Sequence, residues 1–80
     1  MAGPLRVGDE IAGYHVIAIW QWTQLGRHRM LRVVAKRVEG LPVLVTWTGE
    51  MLGETPEHAE RNAHACAVAH FRRLDDLVAR

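Results

Sequence analysis

Thr55-Pro56 divides this chain into two regions with different periods. A threonine followed by proline is a helix-start signal. The hydroxyl can accept an unpaired first-turn amide, and proline sits at the first helical position, where its missing N–H costs nothing. Glu57 and Glu60 then favour the positive end of the helix dipole. The segment "TPEHAERNAHACAVAHFRRLDDLVAR" is therefore expected to be one helix over 55–79. Its small and apolar residues Ala59, Ala63, Cys66, Ala67, His70, Leu74, Leu77 and Val78 recur at helical spacing and predict the buried stripe.

Upstream, the period changes to two. Residues 11–49 alternate β-branched or aromatic residues with polar ones, broken by "TQLGRH" and "EGLP". This predicts strands from Ile11 or Tyr14 to Thr23, from Arg29 to Val38 and from Val43 to Thr48. Residues 1–10 read as an irregular lead-in, with room for one short strand at Leu5 to Val7. The expected fold is α+β: a three-stranded antiparallel β-meander packed under one long C-terminal helix, forming a single domain over 1–80.

A two-residue turn at Leu25-Gly26 would set Trp20 opposite Leu31 and Trp22 opposite Arg29. With a three-residue turn over Glu39–Leu41, one face collects Val16, Ala18, Trp20, Trp22, Leu31, Val33, Ala35, Val43, Val45 and Trp47. This bulkier face is the expected core, its indoles facing the helix's small residues. A one-residue slip would invert the assignment. The opposite face then leaves Ile17, Ile19, Met30, Val34 and Leu44 as neighbours across three strands. A contiguous apolar patch of this kind marks an interface, with either a partner protein or a second copy.

Charge points to the competing reading. Arg27, Arg29, Arg32, Lys36 and Arg37 lie within eleven positions, close behind Trp20 and Trp22. Rings for base stacking and cations for phosphate are what a single-stranded nucleic-acid binder needs, provided the rings are exposed. With the rings in the core, the cations become a solvated sheet rim, with Trp22 near enough to stack on Arg29. The net charge of +1 favours neither reading.

Catalytic and metal readings are weaker. His58, His64, Cys66 and His70 fall within thirteen residues, yet only Cys66 and His70 share a helix face. A thiol buried in an alanine-rich stripe is inert. Glu54, Glu57 and Glu60 diverge around the helix, and there is no glycine-rich phosphate loop. The expectation is a protein that is not an enzyme and uses no cofactor or metal.

With a single cysteine, no internal disulfide can form. No apolar run approaches a membrane span, and the N-terminus lacks a charged-then-apolar signal pattern, so a cytoplasmic protein is expected. Nine arginines against one lysine fit a GC-rich genome, such as that of an actinobacterium or one of its phages.

Leu41-Pro42 leading into a strand, then Gly53-Glu54-Thr55 and an acidic-alanine helix start, resemble the strand-turn-helix segment of HicB-like antitoxin domains over residues 41–66. The resemblance implies a β-β-β-α arrangement and assigns no residue a role. The third strand and helix also resemble the end of a double-stranded-RNA-binding domain. That family places lysines at the helix start, where Glu57 and Glu60 would repel phosphate here.

Overall fold

The computed structural model describes residues 4–78, with side chains described through Leu74. It is α+β, four antiparallel strands followed by one helix: β1 (Glu10–Ile11), β2 (Tyr14–Gln24), β3 (His28–Arg37), β4 (Leu44–Glu50) and α1 (Pro56–Val78). The sheet order is β1-β2-β3-β4. The expected three strands are thus four. The extra strand is Glu10–Ile11, joined to β2 through Ala12 and Gly13, both at positive φ (50° and 85°). Leu5–Val7, expected to have room for a strand, forms none.

The hairpin between β2 and β3 departs from expectation by one residue. Three residues, Leu25 to Arg27, separate the last pair, Gln24 and His28. Trp20 therefore faces Arg32 and Trp22 faces Met30. A β-bulge at Ile17 absorbs the extra residue, so Val16 still pairs with Ala35 and His15 with Lys36. Side chains alternate strictly along a strand, so this slip exchanges the faces of residues 18–24 alone.

The core face is consequently Tyr14, Val16, Ile19, Leu31, Val33, Ala35, Val45 and Trp47. Val16, Leu31, Val33, Ala35, Val45 and Trp47 lie where the sequence places them. Ala18, Trp20 and Trp22 do not, and Val43 is exposed ahead of β4. Gly49 sits beside Trp47 on β4. A Cβ on Gly49 would fall 2.5 Å from the indole, so any larger residue here would make that ring shift.

The helix begins as the cap chemistry requires. Thr55 Oγ1 accepts from the His58 amide at 3.1 Å, and the Thr55 carbonyl accepts from Ala59 N at 2.9 Å. Asn62 Nδ2 donates to the Leu52 carbonyl at 3.0 Å, tying the first turns to the connector. α1 then packs against β4 and β1.

Its buried row is Ala59, Ala63, Ala67 and Phe71, with His64 beside it. Phe71, outside the expected stripe, is fully buried, its ring centroid 6.0 Å from that of Tyr14. Cys66, expected in the buried stripe, is exposed. The row follows i, i+4 spacing, which drifts around the cylinder relative to the expected stripe. The side chains of Leu77 and Val78 lie outside the described residues. Among the described residues, no helix is long and apolar enough to cross a membrane.

Candidate binding face

The register that puts Val33 inside puts Arg32 and Val34 outside. The face of the sheet turned away from α1 carries Ala18, Trp20 and Trp22 from β2. Met30, Arg32, Val34 and Lys36 come from β3, and Leu44, Thr46 and Thr48 from β4. Trp20 is 52% exposed and Leu44 64%, both large values for such side chains. Trp22, Met30 and Val34 are half-buried by their neighbours on the face.

Arg32 lies at the centre of this face. Its guanidinium carbon is 5.1 Å from the Trp22 ring centroid, and its Nε donates to Thr48 Oγ1 at 3.2 Å. The cation is thus fixed from both sides, and Trp20, Gln21, Trp22, Gln24 and Arg32 line a shallow depression. At the hairpin end, His28 Nδ1 and Glu50 Oε2 are 2.9 Å apart, bracing β3 against β4. The cation beside Trp22 is Arg32, not the Arg29 that the two-residue turn would have brought there.

The sequence candidates separate. Of the apolar patch, Met30, Val34 and Leu44 lie on this face, and Ile17 is exposed in the bulge. Ile19 packs against the core instead. Of the basic set, Arg32 and Lys36 lie on this face and Arg27 lies in the exposed turn. Arg29 and Arg37 belong to the opposite side, paired with Thr23 and Tyr14. The two tryptophans complete the face. Their outward placement could be found from sequence only by allowing a three-residue turn and a bulge.

The helix cluster does not assemble a site. Cys66 is exposed and His64 is buried, while His70 packs edge-on against Phe71 at 5.7 Å. Among the described residues, no group of three His, Cys, Asp or Glu side chains could hold a metal ion. No family model, curated protein or solved structure matches this chain.

Proposed function

We propose that this chain is a small non-enzymatic protein-binding module, an accessory protein of a phage or actinobacterium acting in the cytoplasm, and that its helix-free sheet face is the contact surface. The observation that carries this reading is Trp20, more than half exposed, beside a Trp22–Arg32 stack already ordered by Thr48. Tryptophan and arginine dominate the energetics of protein interfaces, and a pre-ordered guanidinium loses little side-chain freedom on binding. Met30, Val34 and Leu44 extend the apolar surface around that centre. The complementary partner is a foreign protein segment with an apolar contact and a carboxylate for Arg32.

The second reading is single-stranded nucleic acid. The exposed tryptophan and the nearby cation favour it, since bases stack on indoles and phosphates pair with Arg32 and Lys36. Against it, Arg32 and Lys36 lie on one face, Arg29 and Arg37 on the other and Arg27 in the turn, which weakens any phosphate track.

The test is capture with immobilised wild type, a Trp20→Ala/Arg32→Ala variant and an Arg73→Ala control on the exposed helix side. A specific partner retained by wild type and control but lost by the face variant supports the module. Oligonucleotide binding that weakens steeply with salt would replace this reading with the second. Self-association lost in the face variant would make the partner a second copy.

A further inference from the structure

His64 is buried, only 3% exposed, at the middle of α1. Its Nδ1 accepts a hydrogen bond from the Leu5 amide at 2.9 Å, joining residues 59 positions apart. Accepting at Nδ1 fixes the tautomer, with the ring proton on Nε2. That Nε2 is itself buried and, among the described residues, has no hydrogen-bond partner. Oε1 of Glu60 is 3.8 Å away.

The part of the lead-in held by this bond, residues 5–9, is tied by its own hydrogen bonds. Arg6 N donates to Asp9 Oδ2 at 2.9 Å, and Asp9 N donates to the Arg6 carbonyl at 3.1 Å. Its far end is fixed to β2 through Gly8 N to Val16 O and Val16 N to Asp9 O, both 2.8 Å. Its near end is fixed by the Leu5 side chain in the core and by His64. Of these attachments, the histidine is the one whose side-chain type ordinarily changes charge between about pH 5 and 8.

We propose that His64 is an acid-sensitive latch, and that its protonation releases the lead-in around Leu5 and Arg6 from the helix. A proton on Nδ1 would meet the Leu5 N–H head-on, donor against donor, so the bond cannot survive it. The charge would also be buried, which a half-exposed Glu60 at 3.8 Å only partly offsets. The ring then gains by turning towards Glu60 and water, and Leu5 leaves its place in the core.

The charged groups lining the groove around the ring are Arg6, Asp9 and Glu10 on the lead-in and β1, with Arg61 and Arg72 on α1. Glu60 favours the charged ring; Arg6, Arg61 and Arg72 oppose it, and Asp9 and Glu10 act with Glu60. Desolvation outweighs Glu60, and the ring's pKa is held below the ordinary histidine value. Release therefore belongs to conditions more acidic than the ordinary histidine value, with the docked lead-in as the neutral-pH state.

Nuclear magnetic resonance titration of the wild type, from about pH 8 downward until His64 titrates or the domain unfolds, tests the latch directly. At the upper end, the nitrogen shifts of His64 should show an unprotonated Nδ1 and a protonated Nε2. As the ring titrates, the Leu5 and Arg6 amides should shift with the same midpoint, while the Leu31 and Val33 amides stay unmoved. Glu60→Gln should lower that midpoint. In His64→Gln the lead-in amides should lose the transition. Three results overturn the proposal: lead-in amides that ignore the His64 midpoint, a transition that persists in His64→Gln, or a ring that stays neutral until the whole domain unfolds. The wild-type titration decides even if a variant fails to fold.

Discussion

Arg32 and Trp22 are diagonal neighbours on adjacent strands, with the guanidinium carbon 5.1 Å from the indole centroid. Arg32 stands directly opposite Trp20 in the register, so the stacked cation lies beside a second, exposed indole on an uncovered sheet face. This arrangement makes the hairpin a surface feature although its composition resembles that of a core.

Trp20→Ala should therefore leave stability within about 1 kcal/mol of wild type, as for other exposed positions. Phe71→Ala should cost about 3–5 kcal/mol, because the ring is fully buried. Urea denaturation of the two variants checks the contrast. A Trp20→Ala loss as large as that of Phe71→Ala would put the indole in the core.

Gly49→Ala should cost about 1–3 kcal/mol through overpacking, because its methyl would meet the Trp47 ring. In a Trp47→Ala background, the same change should become neutral or stabilising, since glycine is otherwise a weak strand residue. The double-mutant cycle is the measurement, and additive effects would show that the ring does not lie over Gly49.

Leu25 adopts φ 54° in the β2–β3 turn and is 80% exposed. A leucine there is strained and its side chain packs on little. Replacement by asparagine, followed by Gly26, should stabilise the domain by about 1 kcal/mol. Thermal melts of the pair should show a higher midpoint for Leu25→Asn. A lower one would mean that the turn has another geometry.

His64 sets a pH dependence with a defined sign. Burial lowers its pKa in the folded chain, more than Glu60 raises it. The unfolded chain therefore binds the proton more readily, and stability falls as pH drops. The contribution is full above about pH 6.5, the unfolded value. It declines from there towards the lower folded value, below which the loss is complete. The stability difference between wild type and His64→Gln should shrink, or change sign, across that window. A difference that stays level in denaturation curves would mean that the ring titrates alike in both states.

Much of this architecture follows from local chemistry. Thr55-Pro56 stops the connector and starts α1, because a hydroxyl acceptor and a fixed φ act within one turn. The antiparallel meander, and the burial of Val16, Leu31, Val33 and Ala35, follow from period-two alternation between turn residues. Met30, Arg32, Val34 and Leu44 likewise fall on the uncovered face from alternation alone.

Tertiary structure decided the rest, through small displacements with large consequences. One more residue in the β2–β3 turn, taken back by the bulge at Ile17, turned Trp20 and Trp22 outward and Ile19 inward. Both registers satisfy the same local propensities, and they differ only in which side chains meet the helix. A modest rotation of α1 chose Phe71 over Cys66, because helix phase is set by what the sheet leaves unfilled. The lead-in places the Leu5 amide on the ring of buried His64. No periodicity records that contact, since it joins an irregular segment to a helix 59 residues away.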